Sequence, residues 1–309
     1  WDMVANQYEL EDLDAWGIDV PYADTESEVE EDEAPEVESG GAALSVLGVV
    51  YQLGRHRVMC GDSTVKENVD LLMKGDKADM VFTDPPYGVD YSGGIQFTKD
   101  GVKKNQRERL IDDHADTDIY SKVVPIIPEF TKGAVYMWFA DTQVVPVYQA
   151  VEHVGDIHAL IIWVKNGGYS AMNANYKQKH EPCLYWKPKN GRLNFIGSST
   201  ETTIWELDKD GKNEYHPTQK PIKLCAKAIQ NHEAKTVLDL FLGSGSTLIA
   251  CEQTDRICYG MELDPKYVDV IRKRYAKFVS PDNTLPENWE ELTPVVENAG
   301  KEQAINGES

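Results

Sequence analysis

Short apolar runs alternate with amphipathic stretches through the middle of the chain. The strand-like runs are HRVMCGD, ADMVFTD, GAVYMWFA, HALIIWVK, KTVLDLF and RICYGMEL. Two further stretches, STLIACEQT and PKYVDVIRKRYAKF, favour helices; the second has a proline suited to its first turn and one apolar stripe, made of Tyr267, Val268, Ile271, Tyr275 and Phe278. Because the strands are apolar throughout, they predict an α/β, doubly wound fold with a mostly parallel sheet covered on both faces. Ligands of such folds bind beyond the carboxyl ends of the strands.

The net charge of −21 lies entirely in the two terminal segments of the 309-residue chain. Residues 1–50 hold fifteen acids and no Lys or Arg, and residues 281–309 hold seven acids and one Lys. Residues 51–280 are therefore neutral overall, with local basic patches. An acidic chain would argue against a nucleic-acid partner, but a neutral middle with basic patches does not.

Composition divides the chain into four segments. Residues 1–23 form a short N-terminal segment, and the acidic, glycine-terminated residues 24–43 predict a disordered linker. Residues 44–280 contain the alternating elements and form the main domain. Residues 281–309 are acidic and rich in Pro and Asn, which predicts a fraying tail.

The remaining composition points to a cytoplasmic protein. No apolar run reaches the length that spans a bilayer, and no basic-then-apolar leader begins the chain. The five cysteines are scattered without a CxxC pair, which predicts reduced thiols and no zinc site. Because the chain starts at Trp1 rather than Met, we expect further sequence upstream.

The stretch VLDLFLGSGST, residues 237–247, runs from a strand through a glycine-rich loop into a helix. Gly243 and Gly245 allow a tight turn and a close approach of a ligand, although a helix cap has the same pattern. The next strand ends at Glu262, 23 residues after Asp239, near the offset at which an acid meets ribose hydroxyls. The loop matches neither the dinucleotide fingerprint nor a phosphate-binding loop, so it favours a ligand with adenosine but no pyrophosphate.

A second strand ends in the stretch CGDST, residues 60–64. Asp62, with Ser63 beside it, is suited to accept a hydrogen bond from an adenine amino group. It is equally suited to cap a helix, and the two roles are compatible.

The stretch VFTDPPYGVDY is an apolar strand that ends in Asp84, Pro85, Pro86 and Tyr87. Together with DLFLGSGST and HPTQKP, it resembles the DNA adenine-N6 methyltransferases of the β group, in which the catalytic tetrapeptide DPPY precedes the cofactor loop. LGRHRVMCGDST, IWVKN and KHEPCLYWKP resemble the phage and prophage members of that group. Many of those carry an upstream ParB-like domain, and residues 1–21 look like the end of one.

The resemblance implies an S-adenosylmethionine-dependent enzyme of the class I, Rossmann-like type, with an inserted target-recognition region at about residues 166–215. It would methylate the N6 amino group of adenine, flipped out of double-stranded DNA, without a metal. Asp84 and the Pro85 carbonyl would accept the two N6 protons, the prolines would keep that carbonyl rigid, and Tyr87 would stack on the base. The implied cofactor residues are Asp62, Ser63, Asp239, Phe241, Gly243, Gly245 and Glu262, with Thr218 and Lys220 for the cofactor's carboxylate.

Two basic groups are candidates for contacts with DNA phosphates, and an ordinary solvated surface is the alternative for each residue. The first follows the catalytic tetrapeptide, and the second lies in the expected target-recognition region: Lys103, Lys104, Arg107 and Arg109, then Lys177, Lys179, Lys187 and Arg192. The tryptophans Trp138, Trp163 and Trp186 lie in strand patterns and are predicted to be core. The β group often dimerises, so the resemblance also favours a homodimer.

Other functions stay open at this level. Cytosine-N4 methylation uses the same geometry but more often has Ser in place of Asp84, and RNA is a third possible substrate. A catalytically idle DNA-binding protein would not need the intact tetrapeptide. A dinucleotide oxidoreductase is disfavoured by the loop sequence. Whether the enzyme belongs to a restriction-modification pair or is an orphan methylase does not follow from these residues.

Overall fold

The computed structural model describes residues 29–37, 41–86, 118–165, 175–176, 178–207 and 219–299. Its strands are β1 (Val49–Leu53), β2 (His56–Cys60), β3 (Met80–Thr83), β4 (Val135–Trp138), β5 (Gly155–Lys165), β6 (His180–Pro188), β7 (Ile204–Leu207), β8 (Thr236–Asp239), β9 (Ile257–Glu262) and β10 (Val295–Asn298). Its helices are α1 (Lys66–Met73), α2 (Ile119–Val123), α3 (Ile127–Phe130), α4 (Val144–Glu152), α5 (Ile222–Gln230), α6 (Ser246–Gln253) and α7 (Pro265–Phe278), with a 3-10 turn at Asp141–Gln143.

The strands form one sheet in the order β10-β1-β2-β9-β8-β3-β4-β6-β5-β7. The consecutive strands β2, β9, β8, β3 and β4 are parallel, and β6 runs antiparallel between β4 and β5. Helices α5, α6 and α7 pack on one face of the sheet, and α1 to α4 pack on the other. This arrangement confirms the predicted doubly wound α/β fold, and every strand and helix that the apolar pattern indicated is present.

The core is rich in aromatic side chains. Trp138, Trp163 and Trp186 are all at most 2% exposed, which confirms that they are core residues. The five cysteines are also buried and form no disulfide. In the described part of the chain, no helix combines the length and hydrophobicity needed to cross a membrane.

Residues 29–37 lie in the segment that composition predicted to be a disordered linker, but they pack against the domain. Val29 and Ala34 are buried against the domain, and the Arg274 guanidinium binds Asp32. Glu31 accepts backbone N–H bonds from the start of α5. The composition rule fails for residues 29–37 because these acids meet a buried cation and unpaired helix amides, partners that composition does not reveal.

The C-terminal segment also contains more structure than a fraying tail. Strand β10 pairs antiparallel with β1, and Trp289 and Thr293 are buried. The Arg272 side chain donates to Thr293 and lies between the rings of Tyr51 and Trp289, at 4.2 and 4.8 Å from their centroids. Residues 281–299 therefore complete one edge of the sheet and belong to the main domain.

The range 166–215 was expected to hold an inserted target-recognition region. Within it, β6 and β7 are strands of the main sheet, and β6 lies between β4 and β5. The described residues of this range are therefore largely scaffold. Residues 166–174, 177 and 208–218 lie outside the described part of the chain.

Candidate active site

Two predicted motifs meet at the carboxyl edge of the parallel strands. Asp84 follows β3 directly, and the glycine-rich loop follows β8, the strand beside it. The register aligns Val81 with Leu238, so both strands end at the same level. The carboxylate of the tetrapeptide and the cofactor loop therefore lie side by side on one edge of the sheet.

The glycine-rich loop is held by the acid at the end of the next strand. The Gly243 amide donates to Glu262 Oε2 at 2.9 Å, and the Asp264 amide donates to Oε1 at 2.9 Å. Gly243 has φ +57°, and a Cβ there would meet no atom within 4 Å, so the loop backbone is open on that side. Gly245 has φ +93° and precedes α6. Both glycines thus adopt conformations that L side chains rarely take.

Asp239 and Glu262 sit in different electrostatic surroundings from ordinary surface acids. Burial raises the pKa of Glu262 to about 7, against the opposing effect of the Asp264 and Gly243 amides. Burial likewise raises the pKa of Asp239 to about 6, although the Thr247 hydroxyl and the Phe241 amide favour its ionised form. Glu262 is half-buried, and its oxygens have lone pairs left for hydroxyl donors, whereas Asp239 is 3% exposed and shapes the loop through the Phe241 amide.

Asp62 lies at the same edge, after β2, where the Gly61 amide donates to the Glu262 carbonyl at 2.9 Å. Its Oδ1 accepts bonds from the Thr64 amide at 2.8 Å and the Thr64 hydroxyl at 2.7 Å. The side chain therefore forms a turn before α1 rather than the helix cap itself. Ser63 is buried within this turn.

Lys220 occupies a different position from the one that the resemblance implied. Its Nζ lies 2.5 Å from Asp84 Oδ2 and 2.8 Å from Glu181 Oε2, and 5.5 Å from the centroid of Trp138. Lys165 binds the other oxygen of Glu181. A network of two acids and two lysines thus joins the ends of β3 and β5, the beginning of β6 and the chain two residues before α5.

The charges of this network stabilise one another. Burial opposes ionisation of Glu181, but Lys220 and Lys165 outweigh it and lower the pKa of this carboxyl to about 2. Burial also opposes the charge on Lys220, and Asp84 and Glu181 outweigh it and raise its pKa. Both groups are therefore ionised at neutral pH. Sequence reasoning missed Glu181 and Lys165, because their contact depends on the antiparallel pairing of β5 with β6.

Tyr120 was also missed. Its hydroxyl is buried and has no hydrogen-bond partner among the described residues. Burial, and then the negative charge of Asp84, raise its pKa, so the phenol stays neutral.

The structure separates the candidate DNA contacts. Lys179 precedes β6 and lies at the carboxyl edge, where its carbonyl accepts the Lys165 amide. Lys187 lies at the opposite edge of the sheet, where its Nζ is 2.6 Å from Asp156 Oδ2. The Arg192 amide donates to the carbonyl of Lys132, which precedes β4. Lys187 and Arg192 therefore lie away from Asp84, because β6 runs antiparallel to β4 and its end points to the opposite edge of the sheet. Tyr87, Lys103, Lys104, Arg107, Arg109, Lys177 and Thr218 lie outside the described residues.

Comparison with known proteins agrees with this geometry. A family model described as DNA methylase matches residues 78–273. The chain belongs to the DNA methylase family. The matched range begins just before β3 and ends within α7, so it includes Asp84, Lys220, the cofactor loop and Glu262.

Individual relatives of the methylase are distant. It is similar to the type II methyltransferase M2.MboI of Moraxella bovis, with 24% identity over 247 residues that cover 73% of this chain and 85% of the relative. The structure of the M1.HpyAVI–SAM complex aligns with a TM-score of 0.50 and 23% identity, covering 70% of this chain and 98% of that one. PvuII DNA methyltransferase, described as cytosine-N4-specific, aligns with a TM-score of 0.56 and 14% identity, covering 84% and 95%. These two structural likenesses establish the fold.

The residues present fit S-adenosylmethionine, the methyl donor of this family. The open space beside Gly243 admits a ligand against the loop backbone, and the half-buried Glu262 carboxylate offers acceptors to ribose hydroxyls. In the described residues, no group of three or more His, Cys, Asp or Glu side chains is placed to hold a metal ion.

Proposed function

We propose that this methylase transfers a methyl group from S-adenosylmethionine to the N6 amino group of adenine in double-stranded DNA. The observation that carries the proposal is the adjacency of Asp84 and the glycine-rich loop at the carboxyl edge of β3 and β8. Methyl transfer needs an amine and an activated methyl group held in line, and most of its catalysis comes from positioning.

The tetrapeptide acts on the amine. The N6 lone pair of adenine is delocalised into the ring, which makes the nitrogen a poor nucleophile. Asp84 Oδ and the Pro85 carbonyl oxygen each accept a hydrogen bond from one of the two N6 hydrogens. The fixed φ of proline keeps the Pro85 carbonyl in place. The nitrogen becomes more tetrahedral, and its lone pair would form the new N–C bond as the bond between sulfur and the methyl carbon breaks and S-adenosylhomocysteine leaves. One N6 proton would then be released to solvent. Bound S-adenosylmethionine supplies the electrophilic methyl group on its sulfonium.

Lys220 contributes indirectly. Its ammonium group contacts Asp84, Glu181 and the Trp138 ring, so it holds the carboxylate in one orientation. We propose this role for Lys220 in place of the cofactor carboxylate contact that the resemblance implied. The presence of Asp84 favours the adenine assignment over cytosine-N4, because cytosine-N4 enzymes more often have Ser at this position.

The cofactor and DNA contacts complete the proposal. Glu262 and the loop containing Gly243 and Gly245 hold the adenosine end, Asp239 and Phe241 keep the loop in shape, and Asp62 with Ser63 borders the same pocket. Lys179 and the basic residues after the tetrapeptide approach the phosphates beside a flipped base. The pairing of two copies, the phage-type origin and an upstream ParB-like domain stay predictions.

The product identifies the target base. The enzyme is incubated with methyl-labelled S-adenosylmethionine and mixed-sequence duplex DNA, and the DNA is digested to nucleosides and separated. We expect the label in N6-methyladenine. Label in N4-methylcytosine would overturn the base assignment, and cofactor binding without any labelled product would favour an idle DNA-binding protein. A parallel incubation with RNA tests that substrate.

A further inference from the structure

Residues 29–37 cross the face of the domain formed by α5, α6 and α7, and they lie outside the range that the family model matches. Val29 is buried in the core cluster on this face, and Ala34 is 8% exposed. The Glu30 amide and carbonyl are both bonded to the Gln253 side chain, at 2.7 and 2.8 Å. This stretch, called the strap below, is therefore anchored at more than one point.

The first functional contact of the strap is with Arg274. The Arg274 side chain is only 1% exposed. Its guanidinium donates to both carboxylate oxygens of Asp32 through Nε and Nη2. Its Nη1 donates to the carbonyl of Ser244 at 2.9 Å. Ser244 lies between the two glycines of the cofactor loop. Asp32 thus fixes the Arg274 guanidinium, which in turn binds the backbone of the glycine-rich loop.

The second contact is at the beginning of α5. Glu31 accepts the amide hydrogens of Ile222 at 3.0 Å and Lys223 at 2.8 Å. The residue before this helix, Pro221, provides no side-chain cap, so Glu31 satisfies amides that the helix itself leaves unpaired. Lys220, which binds Asp84, immediately precedes this point. Glu31 therefore fixes the backbone from which the lysine reaches the tetrapeptide.

We propose that the strap is a positioning element of the methylase, in which Asp32 sets the cofactor loop through Arg274 and Glu31 sets Lys220 through the start of α5. The inference rests on the proposed function of that loop and lysine. Neither acid touches the reacting atoms, so their effects differ from those of catalytic residues. Loss of the Asp32 carboxylate leaves Arg274 buried and without its charge partner, and the loop carbonyl loses a fixed donor.

The test compares Asp32→Asn with Glu33→Gln in the full chain. Glu33 is in the same strap, has an exposed side chain and loses the same charge. Affinity for S-adenosylmethionine is measured by calorimetry without DNA, and amide exchange in residues 241–247 is measured without cofactor. We expect Asp32→Asn to weaken binding about tenfold and to speed exchange in the loop, with Glu33→Gln unchanged. Asp32→Glu, which restores the charge, should recover most of the affinity.

Glu31→Gln gives the complementary result. Because Glu31 acts on the lysine end of the site, this variant should bind cofactor within about twofold of wild type while kcat falls about tenfold. If Asp32→Asn and Glu31→Gln lowered the melting temperature but left cofactor affinity, loop exchange and kcat unchanged, the strap would be merely structural and the proposal would be wrong. A wild-type enzyme that binds cofactor but forms no N6-methyladenine would count against the proposed function alone.

Discussion

At the scale of single residues, the site depends on a balance of buried charges. Asp84 and Glu181 share Lys220, and Lys165 binds Glu181 from the other side. Removing one member of such a network leaves its partners buried and uncompensated, which costs more than the net stabilisation of the intact pairs. The position of the Asp84 carboxylate therefore depends on Lys220.

Replacement of Lys220 by methionine tests this dependence. Lys220→Met keeps much of the side-chain volume but leaves Asp84 and Glu181 without a shared cation, so we expect kcat to fall about 100-fold. Lys187→Met is the matched control, because Lys187 pairs with Asp156 at the opposite edge of the sheet. Steady-state methylation kinetics on duplex DNA measure both variants. An equal fall in kcat in the two variants would show that Lys220 has no special role in the site. A fall in kcat in Lys187→Met alone would instead support Lys187 as a DNA contact.

Glu262 predicts a pH dependence of cofactor binding. Its pKa is raised to about 7 by burial in the cofactor-free protein, and ribose hydroxyls donate to the ionised form. Binding therefore favours deprotonation, so affinity should rise as the pH increases from about 6 to about 8, with the steepest change below 7. Calorimetry at several pH values measures the affinity, and Glu262→Gln should bind more weakly with a flatter profile. An identical wild-type affinity at both ends of this range would contradict the ribose contact.

At the scale of elements, the C-terminal segment is the least expected part of the domain. Trp289 packs on the Arg272 guanidinium, which also bonds Thr293 and Ser45, so it connects the tail to α7 and to the chain just before β1. The apolar ring, the cation and the hydrogen bonds lie within one buried cluster. Stability of the sheet edge formed by β1 and β10 should therefore depend on this ring.

Trp289→Ala should lower the free energy of unfolding by about 3 kcal/mol, since it removes a mostly buried indole and a cation–π contact. Urea denaturation monitored by circular dichroism gives the value. Leu292→Ala, in the same segment but with 42% of the side chain exposed, is the control and should change the free energy by less than about 1 kcal/mol. Similar values for the two variants would show that the segment does not form this cluster in solution.

The apolar pattern was sufficient for the central elements but not for the margins of the sheet. Strands β2, β3, β4, β5, β8 and β9 and helices α6 and α7 could be predicted, because apolar runs and apolar stripes in the sequence leave a clear signal. Strand β6 contains Pro182 and Pro188, which argue against a strand, and β7 and β10 have only one buried residue between them, Trp205. Their pairing depends on neighbours that are distant in sequence.

The candidate site shows the same division. The sequence predicted which strand ends would carry the acids, since each motif follows an apolar run. It did not predict that Lys220 binds Asp84, or that Glu181, Lys165 and Asp32 take part. Those contacts join residues up to 242 positions apart, as between Asp32 and Arg274, and charge alone does not distinguish them from solvated surface residues.

At the scale of the whole molecule, the distribution of charge suits a DNA enzyme despite the net value of −21. Two acids of the strap, Glu31 and Asp32, bind the backbone amides at the start of α5 and the Arg274 side chain of α7. At the carboxyl edge, Lys165 and Lys220 pair with the acids of the site. Lys179 at the same edge is exposed, so its charge can reach a phosphate beside a flipped base.

Asp84→Asn tests the central claim most directly. The variant keeps the size of the side chain but loses the charged acceptor for the amine proton, while the loop and Glu262 remain as they are. Cofactor affinity is measured by calorimetry, and methyl transfer to duplex DNA is measured in a single turnover. We expect affinity within about twofold of wild type and methyl transfer slowed at least about 100-fold. Methyl transfer at the wild-type rate would contradict the account, because Asp84 would then have no part in activating the amine.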